Sequence, residues 1–419
     1  MIPGIAVALI GVIPIFLRPG ALSGGRLVHL LMAISSNPFI AGSLTAGALL
    51  YFHERRRRLG EVAIVLVLVS LLSTLYRLAS VGAALWVGAP FLMAGGILGI
   101  ACLGAAVLHG QMRSVLVTAA LPVGMTLAAI FLKVMVSFHP TTLDPHLYLF
   151  DQTLGGDPSF WMGRLLANST LLRNSAFLAY IMLPIAPAFA QIFEKRMRAN
   201  GILTQFLTLG FIGSFVINLL PAAGPKYAFP ASFPFLHSRI SLFSATPMLL
   251  PFAPRNAMPS LHMAWALLLF WHSRPWPRKV RTIFALLAVL TVMATLGLGE
   301  HYVIDLVVAF PFTFAVRAAF VRKIATSGVG ALAVGVWIVL LRTGVLIAHP
   351  IPLLSWLLVA VTVGGSCWME RALFLPVRSF QGSPAQGFFV KNAAFSAEEE
   401  PRLSVRRETH ATEIQGQTV

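Results

Sequence analysis

The chain has little charge and very few carboxylates. Of its 419 residues only 11% are charged, and 14 Asp and Glu stand against 31 Lys and Arg. Between residues 195 and 369, Glu300 and Asp305 are the only carboxylates. Acids this scarce and scattered argue against a two-metal centre. The two cysteines, Cys102 and Cys367, lie in separate apolar runs without neighbouring ligands, which indicates packing residues.

Long apolar runs take the place of the missing charge. The chain is 57% hydrophobic, and apolar stretches of about 15 to 25 residues, the length that a helix needs to cross a bilayer, follow one another from end to end. A helix also pairs its backbone polar groups within the crossing segment. The sequence therefore predicts an all-α, polytopic integral membrane helical bundle of about twelve transmembrane helices. The predicted spans are residues 3–17, 29–52, 61–83, 86–109, 115–137, 174–193, 203–222, 258–271, 279–298, 302–320, 328–348 and 351–371.

The formal net charge of +17 does not indicate a nucleic-acid partner. No segment interleaves basic and aromatic residues as a base-stacking surface does. Lys and Arg instead concentrate in alternate short connections, as in the cytoplasmic loops of membrane proteins. This pattern places both termini in the cytoplasm and leaves Lys226, Arg239 and Arg255 together in one outer loop. The basic connections are residues 53–60, 110–114, 194–200, 272–282 and 321–327.

Two predicted outer loops are long. Residues 138–173 mix aromatic residues, acids and turn residues, and are too polar to span. They predict short interfacial helices on the outer leaflet, with Tyr148, Phe150 and Trp161 at the depth of the lipid headgroups. Such a segment serves either as a structural cover or as a lid or acceptor site. The second loop, residues 223–257, is rich in Pro and Phe and carries the three basic residues.

Two short segments carry residues suited to catalysis. Pro259 fits the first turn of the helix that follows the second loop, where free amides and the helix dipole form an anion site beside Ser260 and His262. His301 and Asp305 are four residues apart. If the chain is helical there, both side chains lie on one face, one turn apart, so the carboxylate orients the imidazole.

Together these groups predict chemistry on phosphate. Phosphoryl transfer depends mostly on positioning and charge stabilisation, which cations and helix N-termini supply. The two histidines would supply the rest. One attacks phosphorus, and the other donates a proton to the departing oxygen and then takes one from the acceptor.

The order of these residues resembles the type 2 phosphatidic acid phosphatase (lipid phosphate phosphatase) superfamily, whose motifs are Lys-x6-Arg-Pro, Pro-Ser-Gly-His and Ser-Arg-x5-His-x3-Asp. The leucine of the middle motif and the Gly-x-His-Tyr-x-x-Asp context are more similar to the branch of inositol phosphotransferases that includes the inositol phosphorylceramide synthases. The resemblance covers about residues 140 to 320 and implies a phosphatase-like core of about six helices. The matching residues are Lys226 with Phe233-Pro234, Pro259-Ser260-Leu261-His262, and His301 with Asp305.

The resemblance assigns a role to each matching residue. It implies that His301 forms a phosphohistidine, that Asp305 holds the imidazole ring, and that His262 acts as acid and then as base. Lys226 and the backbone donors near Ser260 would hold the phosphate oxygens. It implies no metal and no cofactor, in agreement with the scarcity of acids.

Three positions depart from the superfamily pattern. Phe233 stands where the first motif has arginine, Thr295 stands where the third motif has arginine, and Leu261 replaces the glycine of the middle motif. Arg239 and Arg255 are therefore the candidates to supply the missing positive charge around phosphate.

The predicted organisation has four parts. Residues 1–137 form an N-terminal transmembrane module of about five helices, and residues 138–321 form the phosphatase- or phosphotransferase-like catalytic core. Residues 322–372 form C-terminal transmembrane helices. Residues 373–419 have few large apolar side chains in their later part and predict a disordered cytoplasmic tail.

The leading prediction is a membrane lipid phosphotransferase, inositol phosphotransferase-like, in a bacterial cell membrane. At the outer face it would move a phosphoryl or phospho-head group from a phospholipid or polyprenyl-phosphate-type donor to inositol or a lipid hydroxyl. With water as acceptor, the enzyme is a lipid phosphate phosphatase. Two other classes fit less well. A polyprenol-dependent glycosyltransferase would use acids in its first outer loop, and residues 18–28 have none; a transporter would carry ionisable groups at the midplane of its spans.

Overall fold

A computed structural model of the chain describes residues 37–55, 88–197, 201–235, 246–348 and 350–374. These residues are largely helical, and the strand pairing among them is one short antiparallel ladder between Thr141–Thr142 (β1) and Met248–Leu249 (β2). Those up to Leu373 belong to one compact unit. The predicted spans 3–17 and 61–83, the side chain of Arg239 and most of the predicted tail lie outside the described residues.

The described helices are numbered in chain order. They are α1 (Pro38–Glu54), α2 (Gly88–Leu108), α3 (Met112–Phe138), α4 (Asp144–Thr153), α5 (Pro158–Asn168), α6 (Thr170–Met182), α7 (Ala186–Met197), α8 (Ile202–Val216), α9 (Pro225–Ala228), α10 (Leu261–His272), α11 (Arg278–Gly297), α12 (Val303–Phe320), α13 (Ile324–Thr343), α14 (Val345–Ala348) and α15 (Pro352–Phe374).

Within the described part of the chain, six helices are long and apolar enough to cross a membrane, or seven if a bent pair counts as one span. The six are α3, α8 with the 3-10 turn that follows it, α11, α12, α13 and α15, and each coincides with a predicted span. The bent pair is α6 and α7, which meet at 58° where the sequence predicts one span. The all-helical class with several candidate membrane-spanning helices is confirmed, and the number twelve stays a prediction.

Helix α12 lies at the centre of this bundle. In its most apolar stretch 78% of the residues are buried inside the protein, against 17 to 39% in the other five candidate spans. Asp305 lies in the first turn of α12, and His301 lies two residues before the start of the helix at Val303. The segment that carries the scarce carboxylates therefore leads directly into the most enclosed helix.

The segment predicted to lie on the outer leaflet folds inward instead. It does form the short helices α4 and α5. However, Tyr148 and Phe150 are 1% and 0% exposed and pack against Phe229 and Trp337 respectively, whereas Trp161 is 50% exposed. The predicted contact with lipid headgroups is therefore wrong for Tyr148 and Phe150, and their depth in the membrane stays a prediction. The physical reason is that the acids of α4 find buried hydrogen-bond donors, so this helix enters the core.

A chain of hydrogen bonds and ion pairs joins four helices at the far end of α10 from His262. Glu194 lies 3.0 Å from Nε2 of His272, whose Nδ1 lies 3.0 Å from the Arg317 guanidinium. Arg317 in turn donates to Glu370 at 3.2 Å, and Arg274 also pairs with that carboxylate. Buried charges are stable only when they are paired. The network therefore fixes α7, α10, α12 and α15 relative to one another.

Candidate active site

The imidazole of His301 is fully buried and held in one orientation. Its backbone amide donates to the Thr295 carbonyl at 3.1 Å, and its carbonyl accepts from the Ser159 hydroxyl at 2.9 Å. Its Nδ1 lies 2.9 Å from the Ala257 carbonyl oxygen and 3.5 Å from Oδ2 of Asp305. Both neighbours of Nδ1 are acceptors, so Nδ1 carries the proton and Nε2 carries the lone pair.

Asp305 approaches His301 in a way that differs from the predicted shared helical face. Because α12 begins at Val303, His301 lies before the helix. Asp305 caps the helix, with Oδ2 accepting from the Tyr302 amide at 2.8 Å. The same oxygen reaches the imidazole at a longer distance than the Ala257 carbonyl does. Sequence reasoning missed Ala257, because a backbone carbonyl leaves no residue-type signal.

His262 faces the lone pair of His301. It lies in the first turn of α10, and its Nδ1 is 3.5 Å from Nε2 of His301. Its ring stacks on Tyr180, with 4.3 Å between centroids, and Phe39 and Trp265 lie at 5.5 and 6.0 Å. The sequence did not predict Tyr180 and Phe39 as site residues, because each is an ordinary aromatic residue of an apolar helix.

The start of α10 leaves two amide donors beside His262. Ser260 is the N-cap, its hydroxyl accepts from within the first turn, and its own amide donates to the Asp305 carbonyl at 3.1 Å. Pro259 therefore precedes the helix instead of lying in its first turn. Among the described residues, the amides of Leu261 and His262 have no acceptor. Helix N-terminal amides of this kind bind anions.

Lys226 lies against the loop of His301 and is paired with Glu300. Its amide donates to the Gly299 carbonyl at 3.0 Å, and its ammonium forms an ion pair with Glu300. Burial lowers the pKa of Lys226, but the Glu300 carboxylate raises it, and the net shift is upward. Gly224 has a φ of +102° and packs so closely on the Glu300 carbonyl that a Cβ would collide with it. The charge of Lys226 is thus neutralised by Glu300, a residue to which the sequence analysis assigned no role.

Asp144 ties the Lys226 loop to the His301 loop. It is fully buried at the start of α4 and accepts from the amides of Ala223 at 3.0 Å and Gly224 at 2.8 Å. It also accepts from the Tyr302 hydroxyl at 3.0 Å. Burial raises the pKa of Asp144, and these hydrogen bonds oppose the rise. One carboxylate therefore positions two of the three motif segments.

Asp151 holds the start of α12. Its two oxygens accept from the amides of Val303 at 2.8 Å and Ile304 at 3.3 Å. Burial raises the pKa of Asp151 well above its usual value, and the nearby Asp305 carboxylate adds to the rise. Asp144 and Asp151 are seven residues apart, so they lie on one helix face. That spacing is the signal that could have found both of them in the sequence.

The two predicted arginines are placed differently from Lys226. Arg239 lies outside the described residues. Arg255 is fully buried, and its guanidinium donates to the carbonyls of His139 at 2.8 Å, Pro140 at 3.0 Å and Leu250 at 2.6 Å, and to that of Ala253. It braces the loops around β1 and β2, and these donors are not directed at the two histidines.

The fold and these contacts define a class: a helical protein with candidate membrane-spanning helices, in which a buried histidine faces a half-buried one and a lysine packs on the loop of the first. Among the residues described, no three His, Cys, Asp or Glu side chains are grouped as metal ligands. Residues 145–319 match the model of the PAP2 superfamily. This region includes all the predicted site residues, and the similarity suggests an activity of phosphatase or phosphotransferase type. No curated protein and no solved structure matches the chain.

Proposed function

We propose that the protein is a membrane lipid phosphotransferase that works through a phosphohistidine on His301. The observation that carries the proposal is the orientation of the buried imidazole. The Ala257 carbonyl and Asp305 both lie at Nδ1, so the lone pair of Nε2 points towards His262. A nucleophile with a fixed tautomer next to a second proton-handling group is what covalent phosphoryl transfer requires.

In the first half-reaction, Nε2 of His301 attacks the phosphorus of the donor. The N–P bond forms, the bond between phosphorus and the leaving oxygen breaks, and His262 gives that oxygen a proton. In the second half-reaction, the acceptor hydroxyl gives its proton to His262 and its oxygen attacks phosphorus. The N–P bond then breaks and His301 is restored. The acceptors at Nδ1 stabilise the positive charge that the imidazole carries between these steps.

The phosphate oxygens have two sets of candidate donors. One is the ammonium of Lys226, which the substrate phosphate would take over from Glu300. The other is the pair of first-turn amides of α10, at Leu261 and His262. Arg239 stays a proposed additional cation, whereas the contacts of Arg255 favour a bracing role.

The acceptor in this proposal is an alcohol, either inositol or a lipid hydroxyl, and the donor is a phospholipid or polyprenyl-phosphate-type lipid. The Pro-Ser-Leu-His segment, residues 259–262, supports the inositol phosphotransferase-like branch. The alternation of basic loops supports an outer-face site. A lipid phosphate phosphatase differs from this enzyme only in using water as the acceptor.

The test uses purified full-length protein in detergent micelles with phosphatidic acid labelled with ³²P in its phosphate. Wild type is expected to give an acid-labile phosphoenzyme, and His301→Ala to lose both the label and turnover by at least about a thousandfold. His262→Ala should label and discharge slowly. His109→Ala, an exposed residue after α2, serves as the control. Turnover undiminished in His301→Ala would overturn the mechanism. Inorganic phosphate as the sole product when 1-octanol and inositol are present would make the enzyme a phosphatase.

A further inference from the structure

His262 is enclosed by aromatic rings, and one of them comes from a helix outside the matched region. Tyr180 stacks on the imidazole at 4.3 Å between centroids, and Phe39 lies at 5.5 Å from the imidazole and 5.2 Å from Tyr180. Phe39 belongs to α1, whereas the superfamily match begins at residue 145. We infer that Phe39 is a specificity-determining residue, which keeps water away from His262 and so favours an alcohol acceptor.

The position of Phe39 is firmly set. The Asn37 side chain caps α1 by accepting from the amides of Phe39 at 3.0 Å and Ile40 at 3.3 Å. One turn further on, a Cβ placed on Gly42 would lie 3.4 Å from the Ile181 carbonyl oxygen, so α1 runs directly against α6. Residues 41–50 of α1 are all buried. The ring next to His262 is therefore held by a rigid helix and not by a loop.

The inference rests on the proposed function, because it concerns the fate of the phosphohistidine on His301. Water and an alcohol compete for that intermediate, and either must give its proton to His262 as its oxygen attacks phosphorus. A water molecule beside the apolar faces of Phe39 and Tyr180 would leave hydrogen bonds unmade. A lipid alcohol, one of the two proposed acceptors, would cover those faces with its own carbon chain. The aromatic wall therefore slows hydrolysis more than it slows transfer.

The experiment measures products and not rate alone. Full-length protein in detergent micelles receives ³²P-labelled phosphatidic acid in the presence of 1-octanol, and the ratio of inorganic phosphate to octyl phosphate is determined. Phe39→Ala is expected to raise this ratio about threefold to tenfold, the size of effect that one aromatic contact supports. Phe39→Leu, which keeps an apolar side chain without the ring, should give a smaller rise.

Phe52→Ala is the matched control. Phe52 lies on the same helix and packs against the core, but it is 13 residues further along α1, or about 20 Å. Its ratio should equal that of wild type. A ratio unchanged in the Phe39 variants, or raised equally in Phe52→Ala, would overturn the inference. If Phe39→Ala does not fold, Phe39→Leu decides alone, and an unchanged ratio there counts against the inference.

The two proposals fail in different ways. If wild type forms no phosphoenzyme on His301, the proposed function is wrong. If the phosphoenzyme forms and transfers its phosphoryl group to octanol, but the Phe39 variants give the same ratio of inorganic phosphate to octyl phosphate as wild type, only the inference about Phe39 is wrong. A purely structural role for Phe39 would lower the melting temperature without moving the product ratio.

Discussion

Glu300→Gln is expected to strengthen phosphate binding. In the structure Glu300 forms an ion pair with Lys226, so under the proposed function the carboxylate occupies the position that a phosphate oxygen of the substrate would take. The Gln side chain keeps nearly the same shape and its oxygen still accepts from the ammonium. It lacks the negative charge, however, so a phosphate displaces it more easily and meets less repulsion on entering the site.

The size of the effect follows from the exposure of the two side chains. Lys226 is 35% exposed and Glu300 is 11% exposed, so solvent partly screens the pair. An ion pair of this kind contributes about 1 kcal/mol, which corresponds to about a fivefold tighter Kd for phosphate. The gain should shrink as salt is added, because salt screens interactions between partly exposed charges.

Isothermal titration with inorganic phosphate would measure this Kd at low and high salt. Glu54→Gln is the matched control, since Glu54 is 10% exposed and pairs with Arg113 at 3.1 Å outside the site. Its phosphate affinity should not change. Combining Glu300→Gln with Lys226→Gln should abolish the gain. Weaker phosphate binding in Glu300→Gln would refute the reasoning, and would show that the carboxylate serves to position Lys226.

Two further predictions concern the buried acids of α4. Asp144→Asn turns one acceptor oxygen into a donor that faces the Ala223 amide. This substitution should lower the free energy of unfolding by about 1 to 3 kcal/mol and raise KM for phosphatidic acid. An unchanged melting temperature and KM would contradict this. The pKa of Asp151 is higher in the folded protein than in the unfolded chain, where it is about 4. Above about pH 4, folded Asp151 therefore keeps a proton that the unfolded chain has lost. Wild type should therefore lose stability relative to Asp151→Asn as pH rises through that window, which melting curves in detergent would measure; parallel pH profiles would contradict it.

The sequence predicts best what depends on long patterns or on unusual residue types. Apolar runs gave the positions of the spans, because crossing a bilayer constrains about 20 residues at once. His262, His301 and Lys226 stood out because ionisable groups are rare in this chain. The structure brings the two histidines within 3.5 Å of each other. Their common location therefore followed from order and spacing alone.

What the sequence did not show depends on contacts between remote segments. Asp144 and Asp151 lie in a segment predicted to be at the surface. Each is nevertheless buried, where it accepts hydrogen bonds from backbone amides that lie far away in the chain. Glu194 lies in a connection interpreted as solvated, but it is 1% exposed and pairs with His272. Burial of a charge is stable only with a partner, and the partner is known only once the helices are packed.

The departures from the superfamily motifs become intelligible from the same contacts. At Thr295 the backbone carbonyl holds the loop, because it accepts from the amides of Glu300 and His301, each at 3.1 Å. Phe233 packs against Phe160 with 5.2 Å between ring centroids. In this chain these two positions therefore serve loop geometry and packing, and neither contributes a positive charge.

In the part of the site that the structure describes, the consequence of these departures is a shortage of positive charge and not a loss of shape. Among the described residues, the groups that we propose to bind phosphate are Lys226 and the amides at the start of α10. Lys226 is itself neutralised by Glu300. Under the proposed function, phosphate binding would therefore draw on the helix N-terminus and on displacement of Glu300, both of which act over short distances. Under the proposed function, such a site would accept a phosphate group that a membrane lipid presents to it, without a strong field that attracts phosphate from solution.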